Sequence, residues 1–203
     1  MLARELLGKA KQDPLFLLIC LALYLGLRKS EVLGIKWSSI DFDNSQLEII
    51  DTVVKVITIH KKDTPKNVPS NRKLPLDKYL LEALKNAKLE QEKNRLEFGD
   101  AYLESDYVCV RADGSEFKPD YVSSHFKLLL RNLSMPHIRF HDLRHTTVSL
   151  LIEAGWSLLD IKELLGHVSV SSIADIYGHI FIKAKREMAK EMENILCVNA
   201  EAG

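Results

Sequence analysis

Residues 140–155 read FHDLRHTTVSLLIEAG, and this stretch indicates both a helix and the chemistry on its surface. It predicts a helix from His141 to Ala154 that ends at Gly155, because glycine readily takes the left-handed conformation found after a helix. Positions 141, 144 and 145 are three or four residues apart, so one helical face carries two imidazoles and a guanidinium. A surface helix rarely groups three potential cations without an anion to bind. This face is therefore a candidate anion-binding site.

On both sides of this stretch, the sequence predicts a mainly helical chain with one small antiparallel β-sheet, which is an α+β fold. Between residues 46 and 76 the apolar period changes to two and β-branched residues are frequent, which indicates strands around a basic loop. A further short strand is expected at 106–110. We expect one domain over residues 1–203, with a final amphipathic helix at about 183–196. The predicted helices lie at 2–12, 14–27, 30–37, 77–97, 119–133, 141–154, 157–166, 171–177 and 183–196.

The composition is that of a folded chain, with 46% hydrophobic and 28% charged residues. The 28 basic residues match 28 acidic ones, so the total charge gives no sign of a polyanionic partner. The apolar run from Leu15 to Leu27 has thirteen residues, fewer than the roughly 20 that span a bilayer, and is better explained as a core helix. The three cysteines are scattered, which indicates neither a disulfide framework nor a metal cluster and favours a cytoplasmic setting.

Two further clusters place charged residues beside apolar segments. Arg28 directly follows the predicted core helix, and His167 lies ten residues before Tyr177. Arg28 and Arg144 each offer a planar guanidinium fork that binds two non-bridging phosphate oxygens. A pair of such forks could neutralise a pentacoordinate phosphorus transition state without a metal ion. A simpler interpretation of Arg28 alone is an arginine at a helix end that pairs with Glu31.

Together these clusters resemble the tyrosine recombinase, or phage integrase, family, whose pattern is an arginine, a lysine, His-x-x-Arg, a histidine and a tyrosine. The resemblance rests on GLRKSEVL at 26–33, HDLRHT at 141–146 and LGHVSVSSIADIY at 165–177, and spans about residues 3–190. It is strongest to integrases of conjugative transposons and phages of Gram-positive bacteria, and it implies the fold of the family's catalytic domain. The residues that it assigns to catalysis are Arg28, Lys66, His141, Arg144, His167 and Tyr177.

The resemblance also implies a reaction, which is site-specific DNA recombination by two transesterifications. Tyr177 would attack the scissile phosphate and form a 3′-phosphotyrosine, and the released 5′-hydroxyl would later attack a partner strand. His141 would assist as general base, His167 would donate a hydrogen bond to the phosphate, and Lys66 would protonate the leaving 5′-oxygen. Because the phosphotyrosine keeps the energy of the broken bond, we expect no nucleotide cofactor. No carboxylate cluster that could hold Mg²⁺ accompanies these residues, so we expect no metal ion either.

The choice of lysine stays open because the predicted hairpin holds several. Its sequence resembles the family's form around Lys66, although Asn67 stands where threonine or serine is usual, and Lys61 and Lys62 are alternatives. From Lys55 to Lys78, seven Lys or Arg face two Asp, a net charge of +5. This positive segment either attracts the phosphates of DNA or is simply a solvated basic loop.

The partners that the resemblance implies are double-stranded DNA, a homo-oligomer that is a tetramer in the synaptic complex, and an excisionase or DNA-bending accessory protein. No membrane is expected. Family members usually carry a preceding core-binding domain, which we expect to be absent here, so that the chain alone binds DNA weakly. In the family the C-terminal helix often docks on a neighbouring protomer, although packing on its own domain remains open.

Activities of other classes remain to be considered. One is relaxation of supercoiled DNA in the manner of a type IB topoisomerase, and another is a DNA-binding module that has lost catalysis. A zinc hydrolase is a third, because His141 and His145 have the spacing of a metal-binding helix. The present sequence lacks the glutamate base of such enzymes, since Asp142 occupies that position. In addition, Arg144 would repel a bound metal cation.

Overall fold

The computed structural model describes residues 2–49, 71–166, 186 and 188–196. These residues are mostly helical, with a three-stranded antiparallel sheet, which confirms the predicted fold class. Two short 3-10 turns lie at Trp37–Ser39 and Gly99–Ala101. In chain order the elements are α1 Leu2–Lys9, α2 Phe16–Leu25, α3 Lys29–Leu33, β1 Ile40–Asp41, β2 Gln46–Ile49, β3 Arg72–Pro75, α4 Lys78–Phe98, α5 Pro119–Asn132, α6 Asp142–Glu153 and α7 Leu158–Leu165.

Helix α2 lies at the centre of the core because its sequence, FLLICLALYL, is apolar on every face. It packs against α1, α3, α4 and α6, and seven of its ten residues are buried. Gly26 ends the helix with φ of 61°, and a Cβ at this position would overlap the side chain of Leu165. Only glycine therefore allows the close approach of α7 at this turn. The turn brings Arg28 to the end of the buried helix.

The sheet has the order β1–β2–β3 and supports one side of the core. Leu47 of β2 pairs directly with Leu74 of β3, and both side chains are buried. Because side chains alternate along a strand, Arg72 shares the inward face with Leu74. An arginine thus occupies an inward position at the start of β3, where the pattern favours an apolar residue.

Several predicted boundaries shift in the structure. The first two helices are shorter than predicted. Helix α3 spans 29–33 instead of 30–37: it starts where the carboxylate of Glu31 accepts a hydrogen bond from the backbone N–H of Arg28, and it ends with Gly34 as its C-cap. The strand expected at 106–110 was wrong: two isolated bridges, Lys36 with Tyr107 and Val110 with Glu116, stand in its place. The Gln91 side chain donates to the backbone carbonyl of Val108, which a neighbouring strand would otherwise bind.

Other boundaries match the prediction. Asp77 accepts a hydrogen bond from the backbone of Leu80 at the start of α4, and Ser157 caps α7 in the same way. The C-terminal residues 186 and 188–196 are helical and exposed, within the range expected for the last helix. The helix predicted at 171–177 lies outside the described residues. Within the parts of the chain that the structure describes, no helix is long and apolar enough to cross a membrane.

Candidate active site

Glu31 of α3 lies where three arginines from distant parts of the chain meet. Its carboxylate oxygens lie 3.3 Å from Nη1 of Arg28, 3.1 Å from Nη1 of Arg72 and 3.8 Å from Nη1 of Arg144. Burial alone would raise the pKa of Glu31, but the hydrogen bond and charge of Arg72, followed by those of Arg28, outweigh it and lower the pKa. One carboxylate therefore faces three guanidinium groups, and the described residues around it carry an excess of positive charge.

Arg144 is the buried member of the cluster, with 5% of its surface exposed. Helix α6 presents it to the ends of two other helices, where it donates to the carbonyl of Gly26 at 2.6 Å and to that of Leu165 at 3.1 Å. Burial, followed by the charge of Arg28, lowers the pKa of Arg144 to about 10. The guanidinium therefore stays protonated near neutral pH while its orientation is held by backbone groups.

Arg28 occupies the more open edge of the cluster. Its backbone is extended ahead of α3, and 36% of its side chain is exposed. Its Nη1 lies 3.3 Å from Glu31, so the pairing that the sequence favoured as the simpler interpretation is present. The exposed part of the side chain places Arg28 on the solvent side of the cluster.

His141 lies at the start of α6, one turn from Arg144, and its ring meets that of His145 edge to face with centroids 5.2 Å apart. Partial burial lowers the pKa of His141, and the charges of His145 and Arg144 lower it further, although Asp142 opposes them. Asp142 is itself held by Arg139, which donates from its backbone at 2.8 Å and from Nη2 at 2.9 Å. His141 is thus mostly neutral near pH 7, the state in which an imidazole accepts a proton.

Three of the six residues proposed for catalysis lie within the described part of the chain, and the structure brings two of them together. Arg28 and Arg144 meet at Glu31, and His141 lies on the same helix as Arg144. The residues outside the described ranges are Lys66 with its alternatives Lys61 and Lys62, His167 and Tyr177.

The sequence did not assign a role in the site to Glu31 or Arg72. Glu31 figured only as an ion-pair partner of Arg28, and Arg72 only as one charge of the basic segment. A signal was present in each case, because an acid beside apolar residues and an arginine on the inward face of a strand both need a partner when buried. Arg28, three residues from Glu31, was already named as its partner, whereas Arg72 and Arg144 come from elements far away in the sequence and could not be read from spacing.

The model of the phage integrase family matches residues 4–183. The chain belongs to this family. It is 31% identical over 204 residues to a protein described as tyrosine recombinase XerC-like from Caldanaerobacter subterraneus subsp. tengcongensis, covering 95% of this chain and 51% of that protein. It is 32% identical over 175 residues to the ICEBs1 integrase of Bacillus subtilis, covering 86% of this chain and 47% of the integrase. The chain spans about half the length of the curated relatives it matches.

A solved structure of a transposon integrase has the same fold. The Tn1549 transposon integrase, in complex with transposon right end DNA, superposes with a TM-score of 0.69 at 20% identity, covering 92% of this chain and 63% of that one. The predicted resemblance to tyrosine recombinases, including integrases of mobile elements from Gram-positive bacteria, is confirmed by these relatives.

Proposed function

We propose that this chain is the catalytic domain of a site-specific DNA recombinase that cuts and rejoins DNA through a 3′-phosphotyrosine. The observation that carries the proposal is the pair of guanidinium groups, Arg28 and Arg144, held around one glutamate in a member of the phage integrase family. The excess of positive charge suits a phosphodiester whose negative charge increases in the transition state. The arginines supply this charge, so the proposed chemistry requires no metal ion.

Each described residue has a defined task in this proposal. Arg144 is oriented by two carbonyls before DNA arrives, so little reorganisation is needed when a phosphate binds. Arg28, on the open edge, completes the grip on the non-bridging oxygens. His141, whose pKa is lowered, accepts the proton of the attacking hydroxyl.

The remaining roles follow the family pattern at residues outside the described ranges. Tyr177 is the nucleophile, and the bond from its oxygen to phosphorus forms as the bond to the 5′-oxygen breaks. Lys66 donates the proton that the 5′-oxygen takes up, and His167 donates a hydrogen bond to the phosphate. The released 5′-hydroxyl of a partner strand then attacks the phosphotyrosine, which restores the phosphodiester and frees Tyr177.

The proposed partner is double-stranded DNA, as in the Tn1549 integrase complex. The proposal includes a homotetramer in the synaptic complex, an excisionase or DNA-bending accessory protein, and action at the nucleoid in the bacterial cytoplasm. Exposed apolar side chains on the C-terminal helical residues, among them Met188 and Met192 at 65% and 50%, support docking on a neighbouring protomer. If deletion of the residues after Ala184 leaves tetramer formation on DNA intact, this docking is excluded.

A covalent-trapping assay tests the central claim. The chain is incubated in EDTA with nicked suicide DNA that carries the candidate site, both alone and within the full reading frame that encodes it. The Tyr177→Phe variant is assayed in parallel. A denaturation-resistant protein–DNA adduct that disappears in the Tyr177→Phe variant is the expected result. Binding to the site without any adduct would instead indicate a DNA-binding module without catalysis. Relaxation of supercoiled DNA without recombinants on paired-site plasmids would indicate a topoisomerase.

A further inference from the structure

Arg72 joins three elements of the candidate site through one side chain. It is the first residue of β3, and only 10% of its side chain is exposed. Its Nη1 donates to the carboxylate of Glu31 at 3.1 Å, and its Nε donates to the backbone carbonyl of Leu164 at 3.0 Å. The sheet, the start of α3 and the end of α7 are therefore tied together at this residue.

The end of α7 is held by two arginines at neighbouring carbonyls. Arg72 binds the carbonyl of Leu164 and Arg144 that of Leu165, while both contact Glu31. The last carbonyls of a helix have no partner within it, and a cation there also interacts well with the helix dipole. Gly166 follows with φ of 62° and turns the chain out of the helix, directly ahead of His167.

Stability alone does not explain an arginine at this position. Well-packed apolar residues in place of a buried ion pair are often neutral or stabilising, whereas a guanidinium fixes its partners by directed hydrogen bonds. An apolar residue beside Leu74 would extend the sheet's inward face without a buried charge. Compared with an apolar residue, the arginine adds a second link between the α7 end and Glu31, beside that of Arg144.

We propose that Arg72 is a positioning residue for the active site: by binding Glu31 and the Leu164 carbonyl together, it holds the end of α7 against the arginine pair. In the sequence the end of α7 leads on to His167 and Tyr177, so the inference rests on the proposed function for the roles of those two residues. Arg72 acts through them and is not itself expected to touch the reacting phosphate.

The rate test is a double-mutant cycle on the single-turnover rate of adduct formation. Arg72→Ala should slow the reaction by about ten- to a hundredfold, because small displacements of reacting groups have effects of that order. In a protein that already carries His167→Ala, Arg72→Ala should lower the rate little further, since both changes remove the same contribution to catalysis. Arg72→Lys should restore thermal stability but not the rate of adduct formation. A lysine ammonium keeps the positive charge, but it replaces only part of the guanidinium that binds Glu31 and the Leu164 carbonyl together. Arg95→Ala is the matched control, because Arg95 pairs with Glu104 at an exposed site.

A second measurement requires no activity. Amide hydrogen exchange in the DNA-free chain should become faster in Arg72→Ala for peptides covering 158–166, while peptides from α5 remain unchanged and Arg95→Ala changes neither. Unchanged exchange in 158–166 would overturn the positioning role even if the enzyme proves active. The role would also be overturned if the rate losses of Arg72→Ala and His167→Ala were additive, or if Arg72→Lys restored the rate together with thermal stability. A wild-type protein that binds its site without forming an adduct would instead refute the proposed function, and the exchange result would still decide on Arg72.

Discussion

The two ends of helix α2 carry charged groups arranged in opposite ways. At its start, Asp13 accepts from the backbone of Leu15 at 2.8 Å and pairs with His125 at 3.0 Å, and His125 also contacts the hydroxyl of Tyr121 at 3.4 Å. This end borders a cavity of about 1020 Å³. At its other end, three arginines share Glu31. The first arrangement pairs one carboxylate with one imidazole, whereas among the described residues of the second, one carboxylate faces three guanidinium groups.

This difference separates a structural hydrogen-bonded pair from a candidate binding site. Two groups that satisfy each other lower the free-energy cost of their burial, and neither needs a ligand as a further partner. Among the described residues, guanidinium groups outnumber the carboxylate, and Arg72 and Arg144 are held in place by backbone carbonyls. Repulsion between these cations raises the energy of the site, and a phosphate relieves that repulsion when it binds. Substitutions at the two ends should therefore affect different quantities: stability alone at the start of α2, and both stability and chemistry at its end.

The largest effect is expected for Glu31→Gln. It leaves buried arginines around a neutral side chain, which should cost about 3–5 kcal/mol of the free energy of unfolding, the usual loss when a buried pair is broken. Denaturant unfolding measures this loss. Inorganic phosphate should raise the Tm of Glu31→Gln by more than that of wild type, because the anion replaces the lost charge. Equal phosphate shifts in both proteins would contradict the view of the cluster as an anion site.

Arg144→Ala should act on chemistry. Loss of one fixed donor to the transition state costs roughly 3–4 kcal/mol, or about a hundred- to a thousandfold in the rate of adduct formation. Single-turnover trapping on suicide DNA measures the rate, and thermal unfolding measures the accompanying loss of stability from the freed carbonyls of Gly26 and Leu165. A rate within twofold of wild type would remove Arg144 from the proposed mechanism.

Asp13→Asn, at the other end of α2, should lower the free energy of unfolding by about 2 kcal/mol, because it weakens hydrogen bonds to a charged group. The rate of adduct formation should not change below the new melting temperature, since the pair lies at the opposite end of the helix. This variant is therefore the matched control for Glu31→Gln. A tenfold loss of rate in fully folded Asp13→Asn would show that the two ends are coupled, and would undo the distinction between them.

These two ends also show what the sequence could predict. The helix limits near Pro119, Ser157 and Gly166 follow from local residue types, and the structure confirms them. Likewise the grouping of His141 with Arg144 needs only helical spacing. The convergence of Glu31 with Arg72 was not predictable, because it depends on how a strand, a turn and two helices pack. Charge at an inward position signalled that a partner was required, but not which residue it is.

The smallest expected effect is a shift in the pH dependence of the rate. The pKa of His141 is lowered from its usual value of 6.5 by partial burial and by the charges of His145 and Arg144. A general base is lost when it is protonated, so the fall in the rate of adduct formation should have its midpoint below pH 6.5, the usual pKa of a histidine. Asp142 opposes the shift, and Asp142→Asn should therefore move the fall to still lower pH. A pH profile that is identical in His141→Gln and wild type would show that another group is the base. That result would leave the arginine cluster as the part of the site that distinguishes this end of α2 from the other.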